Sequence, residues 1–234
     1  GTSGAGNEVL AMKFVILFYS FVNIAMGIVA IFTVEDDKIV LEGEKVSFKG
    51  ISKVLKNPAV WIICLVSFCN HVFCLSIYYY IPYVTDILGA AVAFGAMMGV
   101  LRKFGSIGGN IVGGYLADKF GTGKLMLLAY IVMLVGQISI FFVPVGAAGA
   151  IIVTVLFITI LTFFHMNYAM AWTMMSEGAV PVEYCGTAAG LICTAGAIPE
   201  TFISIFAGSL IDNHPGITGY RYFFIFLTIV IAIG

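Results

Sequence analysis

Residues Ala148–Ser176 read AGAIIVTVLFITILTFFHMNYAMAWTMMS, 29 positions without one Asp, Glu, Lys or Arg. As an α-helix this stretch is about 44 Å long at ~1.5 Å per residue, enough to cross the ~30 Å hydrocarbon core of a bilayer with residues to spare. The rest of the chain has the same texture. Of 234 residues 61% are hydrophobic and 10% charged, and the mean hydropathy is +1.09. An ordinary soluble domain carries about 25% charged residues, so too little polar surface exists here to coat a globule. The 11 Lys and Arg against 12 Asp and Glu leave no basic excess to attract a phosphate backbone. The class that remains is an all-α polytopic membrane protein.

Working outward, apolar runs at Met12–Val34, Pro58–Tyr83, Ala90–Ala117, Lys124–Val143 and Tyr184–Ile211 join Ala148–Ser176 to give six full transmembrane helices. A seventh, starting near Tyr220, is cut short at Gly234, below the ~20 residues a span needs. Gly1 opens the chain with no basic leader segment, so a piece of a larger protein is expected. Cys64, Cys69, Cys74, Cys185 and Cys193 lie in or beside apolar runs without CxxC or zinc spacing, and read as small buried hydrophobes.

Lysines set the orientation. Lys38, Lys45, Lys49, Lys53 and Lys56 follow the first span, and Lys119 and Lys124 follow the third. Only Lys13 and Arg221 flank the other side, so the lysine-rich loops are expected in the cytoplasm. The first loop opens on Glu35-Asp36-Asp37 and continues through Val46–Lys56 as a short amphipathic surface helix, with Pro58 in the first turn of the next span. Three regions follow: 1–34, a helix closing one bundle; 35–57, a cytoplasmic loop; and 58–234, a second bundle.

The second bundle repeats internally. Gly114-Tyr115-Leu116-Ala117-Asp118 and Gly208-Ser209-Leu210-Ile211-Asp212 both read Gly-x-Leu-x-Asp at an offset of 94, and the same offset carries His71 onto His165. The two copies start on opposite sides of the membrane, the pattern of inverted three-helix repeats in secondary transporters.

Gly114-x-x-x-Asp118-Lys119-x-Gly121, followed by Lys124, resembles the loop signature of the major facilitator superfamily. Thr122 and Gly123 stand where that signature often has a basic residue. Leu55–Trp61, Glu177, Gly186–Gly190 and Pro199 are similar to other parts of the family pattern. The resemblance covers nearly the whole chain. It implies helix six, the central loop and helices seven to twelve, with the last truncated and the N-terminal half of the same protein missing. It also implies that Gly114, Asp118, Lys119, Gly121 and Lys124 form a latch that breaks and reforms as two halves rock. Gly105, Gly109 and Gly113 form a stripe that lets another helix approach closely.

Ionisable groups at mid-membrane depth are expensive and mark function. Arg102 lies within ~20° of Gly109 and Gly113 on a helical wheel, so it faces protein rather than lipid. Lys103 points about 100° away. Glu200 follows Pro199 in the sixth span, on a face with Ala189, Cys193, Gly196, Ser204 and Ala207. His71 shares its face with Ser67, Cys74 and Tyr78, and His165 with Thr162, Ala169 and Trp172. Arg102, His165, His71, Asn70, Asn167 and Trp172 are the candidate solute-binding residues. Glu200 and His165 are the candidate proton carriers. Alternatives stay open: Arg102 and Glu200 as a structural ion pair, the histidines as core residues bonded to carbonyls, and Tyr78, Tyr79, Tyr80 and Tyr83 as an aromatic belt. The position of Arg102 also resembles anion porters of the family.

The resulting expectation is a secondary active transporter that moves a small, anionic solute by alternating access. A neutral solute, or a non-transporting receptor or scaffold of the same fold, are the alternatives. No HExxH or GxSxG occurs in a span, so an enzyme is not expected. Neither a metal nor a cofactor is expected. The partners are the solute, with or without protons, and the lipid bilayer, with the protein a monomer in the cell membrane and no nucleic acid bound.

Overall fold

The computed structural model describes residues 3–33, 48–177, 180 and 184–234. Among them every regular element is helical and no strand occurs. The chain divides into two compact units, Gly1–Ser47 and Phe48–Gly234. The acidic opening at Glu35–Asp37, Lys38 and Lys45 lies outside the described residues, as does the side chain of Lys49.

The first unit contains helix α1 (Ser3–Thr33). Leu10–Thr33 is apolar on every face, as a membrane span requires. Three of its polar side chains bond back into their own helix: Ser20 to the Ile16 carbonyl, Asn23 to the Tyr19 carbonyl and Thr33 to the Val29 carbonyl, each at 2.8 Å.

The second unit opens with α2 (Phe48–Leu55), which buries Val54 and exposes Ser52, Lys53 and Leu55. Asn57 then accepts the Ala59 N–H at 3.0 Å and Pro58 occupies the first turn, so α3 (Pro58–Ser76) starts where its residues direct. Beyond Ser76 the helix changes pitch three times. A 3₁₀ turn (Ile77–Tyr79) leads into one α turn, α4 (Tyr80–Pro82), and then a π turn (Tyr83–Ile87). There follow α5 (Val92–Phe120), α6 (Thr122–Ser139) with a closing 3₁₀ turn, α7 (Ala147–Glu177), α8 (Cys185–Asn213) and α9 (Ile217–Ile233). Between α5 and α6, Gly121 takes φ +86°, where a side chain would be strained.

Among the described residues five helices are long and apolar enough to cross a membrane, and α9 is shorter. The third expected span, α5, is long enough at 29 residues but is not among the five. Its glycines and its Arg102, Lys103, Asp118 and Lys119 dilute its apolar character. The polytopic helical class stands.

Two pairs of parallel helices organise the bundle. Along α5 and α7, Gly105 meets Leu161 and Thr162, Gly109 meets Thr162 and His165, and Gly113 meets Met166. Both numbers rise together, so the helices run the same way. Along α3 and α8, the Ser67 hydroxyl reaches the Ile192 carbonyl at 3.4 Å, Gly196 lies against His71, and the Tyr79 hydroxyl reaches the Ser204 carbonyl at 3.3 Å. The first helix of each expected repeat thus packs on the second helix of the other.

Phe73, Tyr80, Phe157, Phe164 and Phe224 stack between α3, α4, α7 and α9 and fill the centre. A thin polar seam follows α6. The Tyr130 hydroxyl donates to Asn70 at 3.0 Å, Tyr80 donates to Gln137, and the Asn167 amide lies 3.6 Å from the Met133 sulfur. Of the cysteines, Cys64 and Cys69 are buried and Cys193 is exposed.

Candidate functional site

Four helices, α3, α5, α7 and α8, carry the site. The small-residue face of α5 presses onto α7 and fixes the position of Arg102 on the half-buried edge of that contact. The guanidinium does not meet Glu200. Its carbon sits 4.4 Å above the centre of the Tyr78 ring, and one of its nitrogens donates to the Tyr78 hydroxyl at 3.1 Å. Among the described residues no ion pair joins Arg102 to Glu200, so the pairing considered from the sequence is replaced by a stacked tyrosine.

Beside Arg102 on α5, Lys103 is exposed. Ser106, one turn on, lies 3.4 Å from Nδ1 of His165. His165 is within electrostatic reach of both Arg102 and Lys103. Arg102, Lys103, Ser106, His165 and Tyr78 therefore form one polar group across α5, α7 and the turn after α3.

A second group fills the seam between α3, α7 and α8. Ser67, Asn70, His71, Tyr168, Trp172 and Ile192 line a narrow cleft there. Nδ1 of His71 donates to the Ser67 carbonyl one turn back at 3.0 Å, and its ring lies 5.8 Å from that of Tyr168. Asn70 is 1% exposed; Tyr130 occupies its oxygen, while its Nδ2 has no hydrogen-bond partner among the described residues. Trp172 is exposed at the rim.

Asn167 takes no part in either group. It is fully buried against α6, with Met133 as its contact. Glu200 lies beside the buried stripe of α8 formed by Ala188, Ile192, Gly196, Pro199, Ile203 and Ala207. Being one residue past Pro199 turns it about 100° off that stripe, and it is exposed.

The latch residues sit at the far end of α5. Gly114, Asp118, Lys119, Gly121 and Lys124 are all exposed around the α5–α6 turn, with the Lys119 amine 5.4 Å from the Phe120 ring. Asp118 is 16 residues from Arg102, or ~24 Å along the helix. A roomier hollow of about 400 Å³ lies between α3, α6 and α9, against Ile62, Met126, Tyr130 and Ile231. It is mainly apolar and holds none of the charges, so we place the site elsewhere. Among the described residues no group of three His, Cys, Asp or Glu could hold a metal ion.

Sequence reasoning missed Tyr168, which follows His165 at helical spacing, and the pairing of Tyr78 with Arg102. The signal for Tyr78 was its seven-residue spacing from His71, which puts both on one face.

The family model described as Major Facilitator Superfamily matches residues 3–199. The chain belongs to the major facilitator superfamily. It is therefore a multi-pass membrane protein of a transporter family. Among curated proteins it is similar to inner membrane protein YihN of Escherichia coli (strain K12), 27% identical over 94% of this chain and 54% of the relative. It is also similar to inner membrane protein YqcE of the same strain, 25% identical over 93% of this chain and 53% of the relative. The chain thus spans about half the length of the curated relatives it matches.

Proposed function

We propose that this chain is the C-terminal half of a secondary active transporter that moves a small anionic solute by alternating access. The observation that carries the proposal is Arg102. A guanidinium at mid-helix stands at the open edge of α5, held by a tyrosine and bound to no carboxylate among the described residues. A planar guanidinium keeps in-plane donors for carboxylate, nitrate or phosphate while its face is stacked. Lys103 adds to the attraction for an anion, and His165, Ser106, His71, Asn70 and Trp172 offer polar contacts around it. Asn167, turned into the bundle, supports the wall from behind. Glu200 or His165 carries the coupling proton.

The wider setting is proposed on the same terms. The protein lies in the inner membrane, as the names of both relatives say of them. Its lysine-rich loops face the cytoplasm, and the N-terminal half supplies the facing wall of the pathway. The protein works as a monomer, without a cofactor, and is not an enzyme.

Uptake into proteoliposomes by the full-length protein tests this reading, with nitrate, phosphate and simple carboxylates as solutes. Arg102→Lys inserts normally and loses affinity, because an ammonium cannot reproduce the planar fork. If Arg102→Ala and Glu200→Ala each abolish uptake and the double variant restores it, Arg102 is a structural partner of Glu200 and the proposed role in binding is wrong.

A further inference from the structure

The cleft between α3, α7 and α8 brings one donor and one acceptor to the same small space. Asn70 lines it and is 1% exposed. The Tyr130 hydroxyl of α6 donates to its amide oxygen at 3.0 Å, which leaves Nδ2 on the other arm of the planar group. That nitrogen has no hydrogen-bond partner among the described residues. A buried amide nitrogen in that condition is rare in native folds and calls for a partner from outside the chain.

His71 lines the same cleft and supplies the acceptor. A carbonyl can only accept, so the bond from Nδ1 to the Ser67 carbonyl at 3.0 Å puts the ring proton on Nδ1. In the neutral ring Nε2 then carries a lone pair. Gly196 of α8 makes this placement possible. Having no side chain, it admits Nδ1 and Cε1 of the ring to 2.7 Å from where a Cβ would stand. Tyr168 of α7 packs against the same ring with 5.8 Å between centres.

The cleft measures about 10 Å³, room for about one oxygen atom. The chemistry of that oxygen is constrained from two directions. A carboxylate oxygen would accept from Asn70 and meet the Nε2 lone pair with one of its own. An ammonium would donate to Nε2 and turn a proton toward the Asn70 amide. A hydroxyl does both jobs, accepting from Nδ2 and donating to Nε2. Ala171 and Trp172 at the rim offer apolar surface to the carbon that bears it.

We infer that this cleft is a subsite for one hydroxyl group of the solute, held between Asn70 Nδ2 and His71 Nε2. The solute class that follows is a hydroxylated organic anion such as a hydroxy acid or a sugar acid; the anionic half of that statement rests on the proposed role of Arg102, and the hydroxyl half does not.

The test measures ligand-induced stabilisation of the full-length protein in detergent, read as a saturable rise in unfolding temperature. The probes are matched pairs, propionate against lactate and hexanoate against gluconate, with sorbitol as the uncharged counterpart of gluconate. The hydroxylated member of at least one pair half-saturates at a concentration at least tenfold lower, because a site built to bond a hydroxyl rejects the analogue without it. Asn70→Leu removes the donor and His71→Phe removes the acceptor while keeping a ring against Gly196. Each brings the ratio within a pair to within about twofold. The ratio is taken inside one variant, so a general loss of stability does not move it, and either variant suffices if the other fails to fold. Equal binding of both members of both pairs overturns the inference, as does a ratio that persists in the variants. No saturable shift with any hydroxylated probe also overturns it, since the cleft then takes water alone. Sorbitol binding as tightly as gluconate, with the ratios intact, supports the hydroxyl subsite and overturns the anionic reading instead.

Discussion

The two parallel helix pairs of this bundle solve the same packing problem with different materials. On α5, the space where Gly109 lacks a side chain is filled by the Thr162 carbonyl of α7, with Cβ of His165 3.0 Å from where its own Cβ would stand. On α8, the space at Gly196 is filled by side chains alone: the His71 ring at 2.7 Å and the Ser67 hydroxyl at 2.8 Å. Backbone cannot turn aside, whereas a histidine can change rotamer. The α5–α7 pair is therefore locked, and the α3–α8 pair is adjustable. The locked pair holds Arg102 in place. The adjustable pair encloses the cleft and carries the three changes of pitch between Ile77 and Ile87, a feature that often accompanies hinges and functional sites.

The largest expected effect is at Gly109. A methyl group there meets the Thr162 carbonyl, and overpacking typically costs ~1–3 kcal/mol. Alanine regains about 1 kcal/mol of helix propensity, so Gly109→Ala loses about 2 kcal/mol when the high side of the overpacking range applies. Unfolding of the full-length protein in detergent measures this. Adding His165→Ala brings no rescue, since the obstacle is main chain. Rescue would mean that α5 and α7 are less tightly locked than described.

Gly196→Ala has a smaller expected effect. His71 gives up its bond to Ser67, worth about 1 kcal/mol, against a similar gain in helix propensity. The net change is within about 0.5 kcal/mol, and His71→Ala relieves the conflict through a coupling of ~0.5–3 kcal/mol in a double-mutant cycle. A loss at Gly196 equal to that at Gly109 would erase the contrast between the pairs.

Smallest in stability is Asp118→Asn. Asp118 is exposed at the end of the locked pair, and such a change stays within about ±0.5 kcal/mol. Its effect is expected in the rate of transport instead, with solute affinity kept. A large loss of affinity at an unchanged maximal rate would remove Asp118 from the latch.

Much of this was legible before any coordinates. Apolar runs located the spans, and Asn57-Pro58 marked the start of α3. The spacing of Gly105, Gly109 and Gly113 announced a close contact. What it could not name was the partner, since a small face shows that something approaches and not what does. The site was half legible. Periodicity put Tyr78 on the face of His71, yet four clustered tyrosines read more readily as a belt. The change of pitch at Ile77 that sets Tyr78 against Arg102 leaves no mark in hydrophobic periodicity. Asn70 and Asn167 looked alike as polar residues beside histidines. Only packing separates the first, which lines the cleft, from the second, which is turned to α6.

Solute-evoked current from the full-length protein on a solid-supported membrane tests the central claim most directly. Nitrate, phosphate and simple carboxylates are applied in turn to wild type and to Arg102→Lys. The account predicts a saturable response to at least one anion, with the half-saturating concentration raised at least tenfold in Arg102→Lys, a loss of ~1.4 kcal/mol in binding. Identical half-saturation in the two proteins would contradict it.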